Sequence, residues 1–134
     1  MRQFQSTTPT GVLVVEDDFL VRLTAVDVLE DAGFRVYEAD GADRALRTLE
    51  EQRDIGAVFT DIDMPGSMDG LELARRVGRH WPDVRVIVTS GGARAARLEL
   101  PAGGVFIAKP YSASRIVSRL RAMFDEPTRP IKAA

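Results

Sequence analysis

Ala57-Val58-Phe59-Thr60-Asp61-Ile62-Asp63-Met64-Pro65-Gly66-Ser67-Met68-Asp69-Gly70 runs from an apolar segment through an acid into a turn. The apolar part reads as a buried strand, and Asp61 stands at its C-terminal tip. Pro65, Gly66 and Gly70 interrupt regular structure. A helical pattern begins at Leu71, with Leu73, Ala74, Val77 and Trp81 on its inward side, and Pro82 closes it. A carboxylate at the C-terminal end of a buried strand lies where open α/β sheets bind their ligands. The rest of the chain is read by what it brings to that acid.

Upstream, Val12-Leu13-Val14-Val15 is a β-branched run, the pattern of a strand buried on both faces. It ends in Glu16-Asp17-Asp18, and Asp18 is expected to cap the helix that follows. That helix carries Val21, Ala25, Val28, Leu29 and Ala32 on one stripe and stops at Gly33. Phe34 to Ala39 reads as a second strand, with Phe34 and Val36 on one face. After the turn at Asp40-Gly41, Ala42, Ala45, Leu46 and Leu49 form a second helical stripe.

Downstream, Val84 to Val88 is a fourth strand, running into Thr89-Ser90-Gly91-Gly92. Residues 93–100 are interrupted, so the fourth helix is expected to be shortened or irregular. Val105 to Ala108 forms a fifth strand and ends at Lys109-Pro110. Ala113, Ile116, Val117, Leu120, Met123 and Phe124 mark a last amphipathic helix facing the core. Residues 1–10 read as a flexible arm, 11–125 as one domain and 126–134 as a tail.

The net charge of −2 leaves no nucleic-acid footprint. The absence of cysteine excludes disulfides, thiolate metal sites and a cysteine nucleophile. Apolar runs are too short for membrane insertion, which needs about 20 residues. The expected compartment is the cytoplasm.

Strands alternating with helices imply a doubly wound α/β fold around a five-stranded parallel sheet. Parallel strands end along one edge. That edge collects Glu16, Asp17 and Asp18, then Asp61, then Thr89 and Ser90, then Lys109. Crowded carboxylates repel and stay ionised when a cation shares the site. Oxygen donors without His or Cys favour Mg²⁺. A lysine and a hydroxyl beside such a cluster make a receptor for a phosphoryl group, and Asp61 can be the nucleophile that forms an acyl phosphate.

Four motifs fall in order on successive strand ends: Val12-Leu13-Val14-Val15-Glu16-Asp17, Asp61-Ile62-Asp63-Met64-Pro65-Gly66 with Met68-Asp69-Gly70-Leu71, Val88-Thr89-Ser90, and Lys109-Pro110. With them the chain resembles the receiver domain of two-component response regulators. The resemblance implies a flavodoxin-like fold with strand order 2-1-3-4-5 and Asp61 as phospho-acceptor. It implies that Glu16 and Asp17 hold Mg²⁺, with Mn²⁺ as the alternative ion, directly or through water. The acceptor Asp61 and the backbone carbonyl of Asp63 complete the metal set. Thr89 would hydrogen-bond the phosphoryl oxygen, Lys109 would pair with it, and Phe106 would be the aromatic switch. The Lys109–Pro110 bond would be cis. The implied partners are a sensor histidine kinase or histidine phosphotransfer protein as donor and a downstream protein target. No nucleic acid is implied, and the domain would be a monomer or weak dimer.

The chain departs from the family pattern in places. Ser67 looks like one extra residue in the loop after Asp61. The broken segment at 93–100 bears on the family's output face. Phe106 lacks a phenolic hydroxyl. Asp63 puts an acid two residues past the acceptor, where it bears on access of water to the acyl phosphate. Two other readings stand beside the signalling one. Asp61-x-Asp63 also resembles the nucleophile pair of haloacid-dehalogenase-like phosphohydrolases, and the chain could be a non-phosphorylated interaction module on the receiver fold.

Overall fold

β1 (Gly11–Val15) is buried along its whole length in the interior of a parallel sheet, and the other elements are arranged around it. The computed structural model describes residues 10–66, 68–91, 100 and 103–125. After β1 come α1 (Phe19–Asp31), β2 (Arg35–Ala39), α2 (Ala42–Glu51), β3 (Ile55–Asp61), α3 (Gly70–His80), β4 (Arg85–Ser90), β5 (Val105–Ala108) and α4 (Ala113–Asp125). The five strands are parallel in the order β2-β1-β3-β4-β5, as the resemblance implied. The Lys109–Pro110 bond is cis.

Alternation along β1 divides the core. Val12 and Val14 pack with Val26, Leu29, Phe59, Ile87, Ile116 and Leu120 on the side covered by α1 and α4. Leu13 and Val15 pack with Ala45, Leu49, Val58, Leu73 and Val77 on the side of α2 and α3. Side chains of a strand point alternately to the two faces, so a run of β-branched residues serves both layers.

β3 begins at Ile55, earlier than the sequence suggested. Gly11 pairs with Ile55 and Val12 with Ala57, so Gly56 is the extra residue of a bulge. β4 likewise continues through Thr89 to Ser90.

The helix ends follow local chemistry. Asp18 caps α1, its Oδ1 accepting from the Val21 N–H at 3.1 Å. Asp69 caps α3 by accepting from Glu72 N–H at 2.9 Å. Gly33, at φ 99°, takes the left-handed conformation that ends α1.

Two expected core positions are corrected. Val21 is exposed, together with Phe19, Leu20 and Leu23, while Val26, absent from the stripe, is buried. The first turn of α1 follows directly on the end of β1, so it lies at the sheet's edge, where less of the sheet covers it. Ala113, the first residue of α4, is exposed for the same reason. Ser67, the arm over 1–9, the broken segment over 93–99 and the tail over 126–134 lie outside the described residues.

Candidate functional site

Because the strands are parallel, β1, β3, β4 and β5 deliver their C-terminal residues to one rim. Asp61 ends β3 and is 5% exposed. Its Oδ1 accepts from the backbone N–H of Asp63 at 3.0 Å, and its Oδ2 accepts from Lys109 Nζ at 2.9 Å. Thr89 is in register with Asp61 on β4. The Thr89 backbone carbonyl accepts from Ile62 N–H at 2.9 Å, and that of Ser90 accepts from Lys109 N–H at 3.1 Å. These bonds hold the tips of β3, β4 and β5 together.

The β1 tip is held differently. Glu16 is buried, and its Oε2 accepts from Asp18 N–H at 3.1 Å. The backbone carbonyl of Glu16 accepts from Arg22 Nη1 at 2.8 Å, while Arg22 Nε pairs with Glu38 at 2.9 Å. Arg22 therefore ties the acidic turn to β2. Asp17 is exposed beside it.

Glu16, Asp17 and Asp61 each offer a carboxylate oxygen within 4.8 Å of the other two. Burial pushes the Glu16 carboxyl up to about 7; the charge of Asp61 and a hydrogen bond with Asp17 push the same way, against the Asp18 N–H and Lys109. Burial works against the Lys109 ammonium, but the hydrogen bond and charge of Asp61, with Glu16, outweigh it and raise its pKa. The trio thus carries more negative charge than one lysine neutralises.

Thr89 Oγ1 is buried and has no hydrogen-bond partner among the described residues. An unmade bond on a buried hydroxyl costs about 1–3 kcal/mol, and a hydroxyl without a protein partner is available to donate to a ligand oxygen. An oxygen-only donor set, an excess of negative charge and this orphaned hydroxyl together suit a hard divalent cation and a phosphoryl group.

The profile of the response regulator receiver domain matches residues 12–121. The chain belongs to the response regulator receiver family. The receiver domain is 33% identical over 115 residues to the response regulator receiver protein CpdR of Brucella abortus, covering 84% of this chain and 94% of that one. It is 34% identical over 119 residues to the sensor kinase CckA of the same organism, covering 86% of this chain but 12% of the kinase. Among solved structures, a CheY-like receiver domain from Methanospirillum hungatei matches with TM-score 0.79 at 24% identity, over 88% of this chain and 95% of that one. The response regulator TrrA from Thermotoga maritima, solved in complex with Mg²⁺ and BeF, matches with TM-score 0.77 at 20% identity, over 85% and 98%. These two likenesses bear on the fold. The family is one of signalling receivers, and the haloacid-dehalogenase-like reading is set aside.

Phe106 lies in register with Val88 and packs half-buried against the α2–α3 core. Tyr111, just past the cis bond, packs edge-on to Phe59 with ring centroids 5.6 Å apart. Three sets of contacts were not readable from the sequence. Ser90 Oγ donates to Asp63 Oδ2 at 3.0 Å. Arg22 donates to the Glu16 carbonyl and to Glu38. Gly70 sits so close to the chain at Asp61 that a Cβ there would overlap the Asp61 carbonyl. For Gly70 the signal was present as the glycine of the motif itself; the other two partnerships join residues far apart in sequence.

Proposed function

We propose that this domain accepts a phosphoryl group on Asp61 from the phosphohistidine of a sensor histidine kinase or histidine phosphotransfer protein. An Asp61 carboxylate oxygen bonds to phosphorus, the phosphorus–nitrogen bond breaks, and its electron pair leaves with the donor imidazole. The observation that carries this reading is the Asp61 carboxylate held 2.9 Å from the Lys109 ammonium. Lys109 neutralises charge on the transferred oxygens, and Thr89 donates its unused hydroxyl to one of them. Glu16, Asp17, Asp61 and the Asp63 backbone carbonyl would hold Mg²⁺, which when bound supplies the positive charge that Lys109 alone does not. Satisfying Thr89 draws its side chain toward the site, and Phe106 follows into the space vacated. The new arrangement is read by a protein target, or the phosphoryl group passes onward. The kinase and receiver names among the relatives support this setting, and no helix among the described residues is long and apolar enough to cross a membrane. Action in the cytoplasm fits that setting.

The test is incorporation of phosphoryl groups from acetyl phosphate. Labelling is expected to require Mg²⁺ and to disappear in Asp61→Asn. Label that persists in that variant removes Asp61 from its role.

Glu16 makes a second expectation about pH. Its carboxyl ionises at about 7 in the folded chain against an ordinary value of 4.5, so between those values the folded state holds more protons than the unfolded one. Without divalent ions, this group therefore makes stability fall as pH rises from about 4.5 to about 7. Mg²⁺ binds the deprotonated carboxyl, so its stabilising effect grows over the same window. Urea midpoints with and without Mg²⁺ at pH 5.5 and 8 measure this. An equal Mg²⁺ effect at both pH values contradicts it.

A further inference from the structure

Among the described residues, the exposed large apolar side chains are Phe19, Leu20, Val21 and Leu23, all in the first part of α1. Phe19 is 61% exposed and Leu20 68%. Single exposed apolar residues are ordinary, but four together form a patch of the kind that marks an interaction site. The patch is held in place. The Arg22 guanidinium lies over the Phe19 ring, 5.5 Å from its centroid, and Arg22 is itself fixed by the Glu16 carbonyl and by Glu38. The patch continues into an apolar groove of about 320 Å³ between α1 and α4, lined by Leu20, Val21, Ala113, Phe59 and Tyr111 among others.

Charge on the two helices points to the occupant. α1 and α4 each follow a strand of one parallel sheet, so both start at the rim and run the same way. They lie side by side, and Arg121 Nη2 of α4 donates to the Ala32 carbonyl at the end of α1 at 2.8 Å. Beyond its apolar start, α1 exposes Asp27, Glu30 and Asp31, while α4 exposes Arg115 and Arg119. None of these five forms an ion pair among the described residues. The face is thus acidic along one helix and basic along the next, which makes it complementary to itself. We propose that this face is an isologous interface between two copies of the chain, with α1 of each against α4 of the other. The twofold axis runs parallel to the helices. It sets the acids of each α1 opposite the arginines of the other copy's α4 and brings both apolar patches to the same end. An axis across the helices would instead lay α1 on α1 and α4 on α4, acid on acid and arginine on arginine. Each helix has 13 residues, so it is about 20 Å long and about 10 Å wide. The two give a face of about 400 Å² in projection, less than the roughly 800 Å² per partner of a standard interface. The dimer is therefore weak and exchanges with monomer at micromolar concentration.

The experiment is sedimentation equilibrium of the full chain from about 1 µM to about 500 µM, a range that spans weak interfaces of this size. Wild type is expected to pass from monomer to dimer across it. Leu20→Glu, at an exposed position and with a good helix former, weakens the dimer about tenfold. Asp27→Arg and Arg119→Glu each weaken it about fivefold at low salt and less at high salt. An equimolar mixture of those two variants dimerises about as tightly as wild type, because the mixed dimer holds one native pair and one reversed pair. Far-UV circular dichroism checks that each variant is folded, and the two charge variants decide the matter if Leu20→Glu is not. Wild type that stays monomeric at the highest concentration overturns the proposal and leaves the face to a different protein. A dimer indifferent to Leu20→Glu or to both charge reversals, or a mixture that associates no better than its components, overturns it as well. No phosphoryl donor enters the experiment, so its outcome is independent of the role of Asp61.

Discussion

Gly70→Ala is expected to abolish acetyl-phosphate labelling and to destabilise the fold by about 3 kcal/mol, the upper part of the range for overpacking a filled site. Gly70 opens α3, and its N–H donates to the Ile62 carbonyl at 3.0 Å. A methyl group there would overlap the Asp61 carbonyl and lie 2.8 Å from Ile62 Cα. These are backbone atoms and cannot rotate aside. Relief requires the start of α3 to lift or the end of β3 to shift. The second motion displaces the acceptor carboxylate from Lys109, and a misplacement of about 1 Å can cost about a hundredfold in rate. Gly41→Ala is the control. Gly41 has open space around its Cα and extended backbone at φ −175°, so it stays within about 1 kcal/mol of wild type. Denaturant midpoints and labelling rates of the two variants check the contrast. Equal behaviour would show that the close approach at Gly70 does not matter.

The second large effect is expected at Lys109. Lys109→Ala removes the only side-chain cation that contacts Asp61 among the described residues. Labelling should slow about a hundredfold, in the range found when one preorganised donor to a developing oxyanion is deleted. The variant also leaves a buried carboxylate without its partner. For a fully buried pair that costs about 3–5 kcal/mol, and the partial exposure of Lys109 brings it to about 2 kcal/mol here. Lys109 is one of the groups that lower the Glu16 pKa, so its loss drives that carboxyl further up. Mg²⁺ should recover most of the lost stability while leaving labelling slow, because Mg²⁺ replaces the missing charge but not the hydrogen bond to the phosphoryl oxygen. Parallel melting and labelling series with and without Mg²⁺ separate the two. Labelling restored to the wild-type rate by Mg²⁺ would contradict the role given to Lys109.

The rim was legible in the sequence because each apolar run stops at a polar residue, and parallel strands stop together. Asp61, Thr89 and Lys109 needed only that geometry, and the motif order needed only the residues themselves. Helix stripes were readable where the sheet lies beneath them, as along α2 and α3. They failed at Val21 and Ala113, because periodicity counts apolar residues without knowing where the covering layer ends. The start of β3 was placed two residues late, at Ala57, because a glycine such as Gly56 looks the same inside a strand and outside it until a partner strand supplies the register. The contacts of Ser90 with Asp63 and of Arg22 with Glu16 and Glu38 stayed hidden for a related reason. Each depends on a loop path and a rotamer, and no local pattern encodes either. The expected irregularity at 93–100 concerns residues almost wholly outside those described.

Where the phosphoryl group goes decides whether Asp61 is the acceptor. Protein treated with acetyl phosphate and Mg²⁺ can be trapped with borohydride, which reduces an aspartyl acyl phosphate to homoserine, and then mapped by peptide mass spectrometry. Conversion at Asp61 alone, absent when Mg²⁺ is chelated, is the predicted result. Conversion at Asp17, Asp63 or another acid, or conversion at Asp61 that proceeds equally without Mg²⁺, would contradict it.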